Sequence, residues 1–384
     1  MSIPLPRSAR LLSALQQLAV LSVVGLLFFF MIQNVRDNLD ALGIASGFGF
    51  LSERSGYEIS FSLIEFSPDD TYFRAYLVGL LNTLLVSVMS IALATLVGVF
   101  LGLCRVTDNW LVSRVAYLVV EFLRNVPLVV HLIWWYSLML ALPSVRQAIS
   151  LFDLAFLSNR GLVLPWASDG DLVGWGLLWL TAGGVVGALA MNRYLARFPW
   201  KGFGPSRWPA ILAGSLGLTV LAYLAGGAYW EWELPVAQGF GFRGGVTLTP
   251  ELMALWLALS IYSASYIAEI VRGAIQSVPR GQYEAARALG FREAPAMLRL
   301  IVPQAVYPMI PQVTSTYLNI IKNSSLGVVV GYMELVSSTG GTTLNQTGQA
   351  VECILLVMAT YCVFSLVTSL LMNLYNYRVG LRTH

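Results

Sequence analysis

Only 11% of this 384-residue sequence is charged, against 57% hydrophobic, so each charge inside an apolar run needs a reason. Four groups stand out. Glu121 and Arg124 lie three apart, with Asn125, Pro127 and His131 following. Glu269 and Arg272 repeat that spacing, which suits a structural ion pair. Asn319, Lys322, Asn323 and Ser324 form a polar cluster around one of only two lysines, and "QYEAARALGFREAPAMLRLIVPQA" (Gln282–Ala305) holds Glu284, Arg287, Arg292, Glu293 and Arg299. The first group has the parts to hold a solute carrying both charges: a cation for its carboxylate, and an acid or carbonyls for its ammonium. It also has a plainer reading. Glu121 and Arg124 can neutralise each other while Pro127 bends the helix, and this is the reading favoured here. Lys322 can line a cavity, or its neighbours can bond an unwound turn while the lysine snorkels outward. His131 reads as a packing residue.

Bond-breaking chemistry lacks its parts. There is no "HExxH", "GxSxG" or "GxxxxGK[ST]" motif, and the histidines are His131 and His384 alone. Cys104, Cys353 and Cys362 have no metal-ligand spacing, so no metal is expected and the cysteines read as core residues. The net charge of +3, spread over short loops, argues against nucleic acid.

The elements that must position these residues are membrane helices. Mean hydropathy is +0.70, several runs reach the roughly 20 apolar residues that cross a hydrocarbon core, and no ten-residue alternation suggests a barrel. The expected fold is an all-α polytopic membrane protein with about eight transmembrane helices: Ala14–Gln33, Ala75–Leu103, Val115–Ala141, Leu172–Met191, Trp208–Gly227, Glu251–Val271, Val306–Asn323 and Ala350–Tyr375. Pro308 and Pro311 should bend the seventh. The first run lacks a small-residue cleavage site and is expected to be retained. Arg193, Arg197, Lys201 and Arg207 place the fourth connection inside. Alternation then puts Arg105, Arg114, the 282–305 stretch and both termini in the cytoplasm. The acidic first loop, with Asp37, Asp40, Glu53, Glu58, Glu65, Asp69 and Asp70, falls outside.

Four divisions follow: 1–74, an N-terminal helix and outer loop; 75–141, the first part of a core; 142–245, an inserted two-helix hairpin between Gly-, Trp- and Pro-rich connections; and 246–384, the second part of the core. Small-residue spacings at Gly98–Gly102 and Gly183–Gly187 would let helices approach closely.

Within 282–305 the spacing predicts a short helix stopped by Gly290 in a left-handed conformation. A second helix starts near Glu293 with Pro295 in its first turn, and the run ends at Pro303. Ala285 and Ala286 would leave this elbow nearly bare for a close-approaching protein, with Glu284 and Arg287 at the rim. Equally, the elbow could rest on lipid headgroups.

"EAARALG" followed nine residues later by "LIVP" resembles the EAA loop of the inner-membrane permease subunits of ABC importers. Glu284, Ala285, Ala286, Gly290 and Pro303 match, while Leu300 and Val302 replace similar apolar residues. "GLLNTLLVS", "EFLRNVPLVVHLIWWY", "YIAEIVRGAIQSVPRGQYEAARALG" and "LNIIKNSSLGVVVG" are similar to recurring segments of the polar and general L-amino acid branch. The resemblance implies a five-helix core from the second, third, sixth, seventh and eighth spans, to which the N-terminal helix and inserted hairpin are additions. It implies a bacterial inner-membrane permease that takes up amino acids and hydrolyses no ATP itself. ATP and Mg would sit on partner ATP-binding cassette subunits, coupled through Glu284, Ala285, Ala286, Arg287, Gly290 and Pro303. A second permease chain, a paralogue for these long forms, and a periplasmic amino acid binding protein would complete the system. Arg124, Asn125, Asn319, Lys322, Asn323 and Ser324 are the substrate-path candidates. The rival is an ion-gradient-driven secondary transporter, which predicts an internal repeat with paired broken helices; no second copy of 282–305 is evident.

Overall fold

The computed structural model describes residues 7–41, 47–152, 154–167, 232–239 and 241–380. The expected fourth and fifth spans, the basic connection between them and Gly183–Gly187 lie outside these residues.

Among the described residues, three helices are long and apolar enough to cross a membrane: α2 (Tyr72–Arg105), α5 (Pro250–Ser277) and the Ala350–Tyr375 part of α10 (Ala350–Gly380). α1 (Arg7–Ala41) carries a shorter apolar stretch, Gln16–Met31. Threonine hydroxyls start two of these helices by accepting otherwise orphaned amides: Thr71 from Arg74 N at α2, and Thr249 from Leu252 N at α5. α2 and α5 form the central pair. An added Cβ on Gly98 would lie 2.6 Å from Ile267 Cβ and 2.9 Å from the Ala264 carbonyl oxygen, and Gly102 meets Val271 and Ala268 in the same way. The two glycines therefore set how closely the backbones approach.

The expected third span is not one helix. α3 (Trp110–Asn125) and α4 (Leu128–Leu140) meet at 101°. Pro127 disfavours the helical region for its predecessor, and Val126 is extended at φ −94°, ψ 129°. The chain turns a corner where a bent continuous helix was expected. α3 leaves Trp110, Leu111, Val115, Leu118 and Phe122 exposed.

Nor is the chain all-α. Eight short strands are described: β1 (Ile149–Leu151), β2 (Ala155–Ser158), β3 (Gly161–Leu164), β4 (Trp166–Ala167), β5 (Trp232–Glu233), β6 (Val236–Gln238), β7 (Gly241–Arg243) and β8 (Val246–Leu248). An antiparallel sheet runs β1-β2-β3-β8, with Leu162 opposite Leu248, while β4–β5 and β6–β7 pair separately. The fold is predominantly helical with this small β structure joining α4 to α5. Strands of two to four residues are too short to show a period among glycines and tryptophans.

α6 (Arg280–Ala288), α7 (Glu293–Ala296) and a π-helical turn, Met297–Ile301, lead into α8 (Val302–Asn323), which contains Pro308 and Pro311. α8 stops inside the bundle, and its continuation dips: a 3₁₀ segment Ser324–Val329, a π-helical segment Val336–Thr343, α9 (Leu344–Thr347), then α10. Ser324 Oγ lies 3.3 Å from the Tyr361 hydroxyl, roughly 16 Å along α10 from its first residue at 1.5 Å per residue. Lys322 is thus at the end of its helix but well below the end of the bundle. The end carrying Arg105 and α6 is called here the basic end, and the opposite one the far end. At the far end the loop 47–71 is tied down by Gly47 N to Glu352 (2.6 Å), Tyr57 to Thr343 (3.1 Å) and Tyr72 to Gln346 (3.0 Å). Phe61 is buried in one cluster with Leu132, Leu255 and Tyr332.

Candidate functional site

The elbow at the basic end is built by backbone hydrogen bonds around one glycine. Gly290 has φ +75°, Phe291 N donates to the Ala286 carbonyl (3.1 Å) and Gly290 N to that of Arg287 (2.9 Å). This paired pattern satisfies the last carbonyls of α6 and needs a residue free to adopt positive φ. Nothing lies within 4 Å of the missing Cβ, so the demand on position 290 is conformational and not one of space.

The elbow has two faces. Tyr283 and Ala286, one turn apart, point inward. Ala286 is buried, and the Tyr283 hydroxyl donates to the Ile275 carbonyl (3.2 Å) while its ring packs on a cluster containing Val278, Ile301 and Ala305. Burial pushes the Tyr283 phenol above the usual tyrosine range. Glu284, Ala285 and Arg287 are exposed. The expectation of two bare alanines is corrected: Ala286 seats the elbow on its own chain, and Ala285 alone faces out. Arg287 reaches Glu293 across the glycine at 3.4 Å, an exposed pair of little energetic weight.

Pro303 does not end the run. It stands in the first turn of α8, and the preceding turn widens so that Val302 N donates to the Met297 carbonyl, five residues back. A π turn of this kind relieves the clash and the missing donor that proline brings into a helix. The second arm of the elbow is therefore continuous with α8.

Directly above lies a charge cluster on three helices. Glu269 of α5 accepts from Arg105 of α2 and from Arg272, and Arg124 of α3 approaches it at 3.9 Å while meeting Glu121 at 3.7 Å. The guanidinium of Arg124 also sits 5.4 Å from the centre of the Tyr266 ring, a cation–π distance. The Glu269–Arg272 pair is thus part of a hub in which one carboxylate holds α2, α3 and α5 together. Asn125 closes the last turn of α3 by donating to the Glu121 carbonyl (2.7 Å), and His131 reaches back across the corner to the Leu123 carbonyl (3.1 Å).

The six substrate-path candidates consequently fall in two places. Arg124 and Asn125 belong to the hub and the α3 terminus. Asn319 and Lys322 are exposed at the end of α8, Asn323 is half-buried beside them, and Ser324 is buried against Tyr361.

A second polar node was not anticipated. Glu334 is fully buried and accepts from Val336 N, Ser337 N (both 2.8 Å) and the Tyr361 hydroxyl (3.1 Å). Asn82 donates to the carbonyls of Phe61 (2.8 Å) and Met333 (2.9 Å), and the Thr83 hydroxyl accepts from Leu335 N (3.0 Å). The available signal was Glu334 itself, the lone charge between Lys322 and Glu352.

The sequence model described as "binding-protein-dependent transport system inner membrane component" matches residues 234–381. A putative amino-acid ABC transporter permease protein of Escherichia coli, YhdX, is 45% identical over 369 residues, covering 95% of this chain and 93% of the relative. The chain belongs to the ABC transporter permease family. The general L-amino acid transport system permease protein AapQ of Rhizobium johnstonii is 41% identical over 370 residues (95% of this permease, 91% of AapQ). The glutamate/glutamine/aspartate/asparagine transport system permease protein BztB of Rhodobacter capsulatus is 37% identical over 397 residues, covering 94% and 92%. This permease is accordingly a multi-pass inner-membrane protein, and both the elbow and the α8–α10 dip lie inside the matched segment.

Proposed function

We propose that this permease forms half of the pathway of an ATP-driven amino acid importer and is driven through its elbow by a separate ATPase subunit that supplies the ATP and Mg chemistry. One observation carries the coupling role. The elbow presents Glu284, Ala285 and Arg287 outward while Tyr283 and Ala286 seat it on α5 and the start of α8. A push on the outer face passes into α8 through the continuous π turn, and reaches α2 and α3 through the Glu269 hub. The ATPase is read as binding the exposed residues, with Gly290 fixing the angle and Pro303 the start of the driven helix.

Around this centre the finer reading is of eight spans: a five-helix core, an added N-terminal helix and an inserted hairpin within 142–245. The basic end faces the cytoplasm, as do both termini. A periplasmic binding protein delivers the amino acid at the far end. A second permease chain, taken to be a paralogue, completes the pathway, and Lys322 and Asn319, exposed on α8, are read as the residues that meet the solute. The relatives' names, which specify amino acids, support the substrate class.

The test is uptake of radiolabelled amino acids into cells carrying Glu284→Lys or Gly290→Leu, with membrane insertion followed by immunoblot and ATPase association by co-purification. Both variants should insert normally, lose the co-purifying ATPase and stop uptake. Normal uptake by both rules out the docking role.

A further inference from the structure

We propose that the permease binds the phosphate headgroup of an anionic phospholipid in a cleft beside the charge hub. The cleft, about 440 Å³, lies between the α2–α3 turn and the end of α5, and Arg105, Arg114, Arg272, Ser113, Tyr117 and Trp110 line it. Its charge is unbalanced. Four guanidiniums, those of Arg105, Arg114, Arg124 and Arg272, stand in or behind the wall, against the carboxylates of Glu269, Glu121 and rim residue Asp108. Glu269 alone is shared by three of the arginines. Arg114 is exposed, and its described contact is with the Tyr117 ring, 5.4 Å away, which Arg105 shares from the same distance. This holds the guanidinium at the mouth and leaves its fork of donors open for phosphate oxygens.

The surroundings choose a lipid over a free anion. Trp110, 75% exposed, lines the same cleft, and exposed Leu111, Val115, Leu118 and Phe122 continue from it along α3. A tryptophan beside arginines at the head of an apolar stripe is the arrangement found where chains meet headgroups. Acyl chains can lie along this stripe while the phosphate sits among the arginines. Because two of the wall arginines also hold Glu269, an occupied cleft would brace the hub from outside. The inference rests on the basic end marking a membrane boundary and not on what the pathway carries, so the test reads lipid binding and leaves uptake aside.

The full-length permease, purified in mild detergent, is offered equal phosphatidylglycerol and phosphatidylcholine, and retained lipid is measured by native mass spectrometry. Phosphatidylglycerol should be retained at least fivefold better. Arg114→Gln should lower its retention about fivefold, the weight of one arginine near an anionic surface. Arg114→Lys should keep most of it, and Arg54→Gln at the far end should change nothing. Equal retention of the two lipids by the unaltered protein overturns the proposal, whatever the variants do. So does a loss in Arg54→Gln equal to that in Arg114→Gln, undiminished retention in Arg114→Gln, or displacement of the lipid by millimolar inorganic phosphate, which would mark a simple anion site.

Discussion

The elbow and the dip between α8 and α10 are made from the same parts and packed in opposite ways. Each has short helices, left-handed glycines (Gly290 in one, Gly331 and Gly348 in the other) and a π-helical stretch. In the elbow the acids Glu284 and Glu293 face out, and few side chains tie it to the rest. In the dip Glu334 is buried with three donors, while Asn82 and Thr83 of α2 bond the passing backbone. Irregular backbone is thus no measure of how firmly a segment is tied. What separates the two is whether the polar groups face outward or are buried and paired within the protein, since a buried group left unpaired is costly.

The sharpest way to break this contrast is to remove the central acceptor of the dip. Glu334→Ala strands two amides and a tyrosine hydroxyl, and should cost roughly 3 kcal/mol or more, read as a fall in the thermal midpoint of the purified permease. Asn82→Ala frees two carbonyls and should cost roughly 2 kcal/mol by the same measurement. On the elbow side Gly290→Ala meets no neighbour and suffers only left-handed strain, about 1 kcal/mol, yet uptake per inserted molecule should fall far more than that suggests. Arg287→Ala should shift stability by no more than about 0.5 kcal/mol. A reversed order, with the elbow variants melting lowest, would mean that the two regions have been assigned the wrong way round.

The elbow was readable from sequence because its determinants are local. Gly290, Pro295 and the charges stand at spacings that specify a stop, a start and a rim. Gly98 and Gly102 were readable for the same reason. What could not be read depends on partners distant along the chain. Ala285 and Ala286 are identical in sequence, and their opposite fates follow from where Tyr283 docks. Pro127 is compatible with a kink or a corner, and the 101° result is fixed by what α3 and α4 pack against. Glu334 was visible as a lone acid, but its hydroxyl donor is 27 residues away, and Asn82 meets Met333 from 251 residues away.

The strand pair β4–β5 has one more consequence. Ala167 stands opposite Trp232 in an antiparallel ladder, where paired Cα atoms are about 5 Å apart, so the stretch between them leaves and returns through a single doorway. A tight turn could close that doorway without rerouting either neighbour. For α4 and α5, the paired ends at Ala167 and Trp232 therefore act as one fixed point where the sequence has two, 65 residues apart.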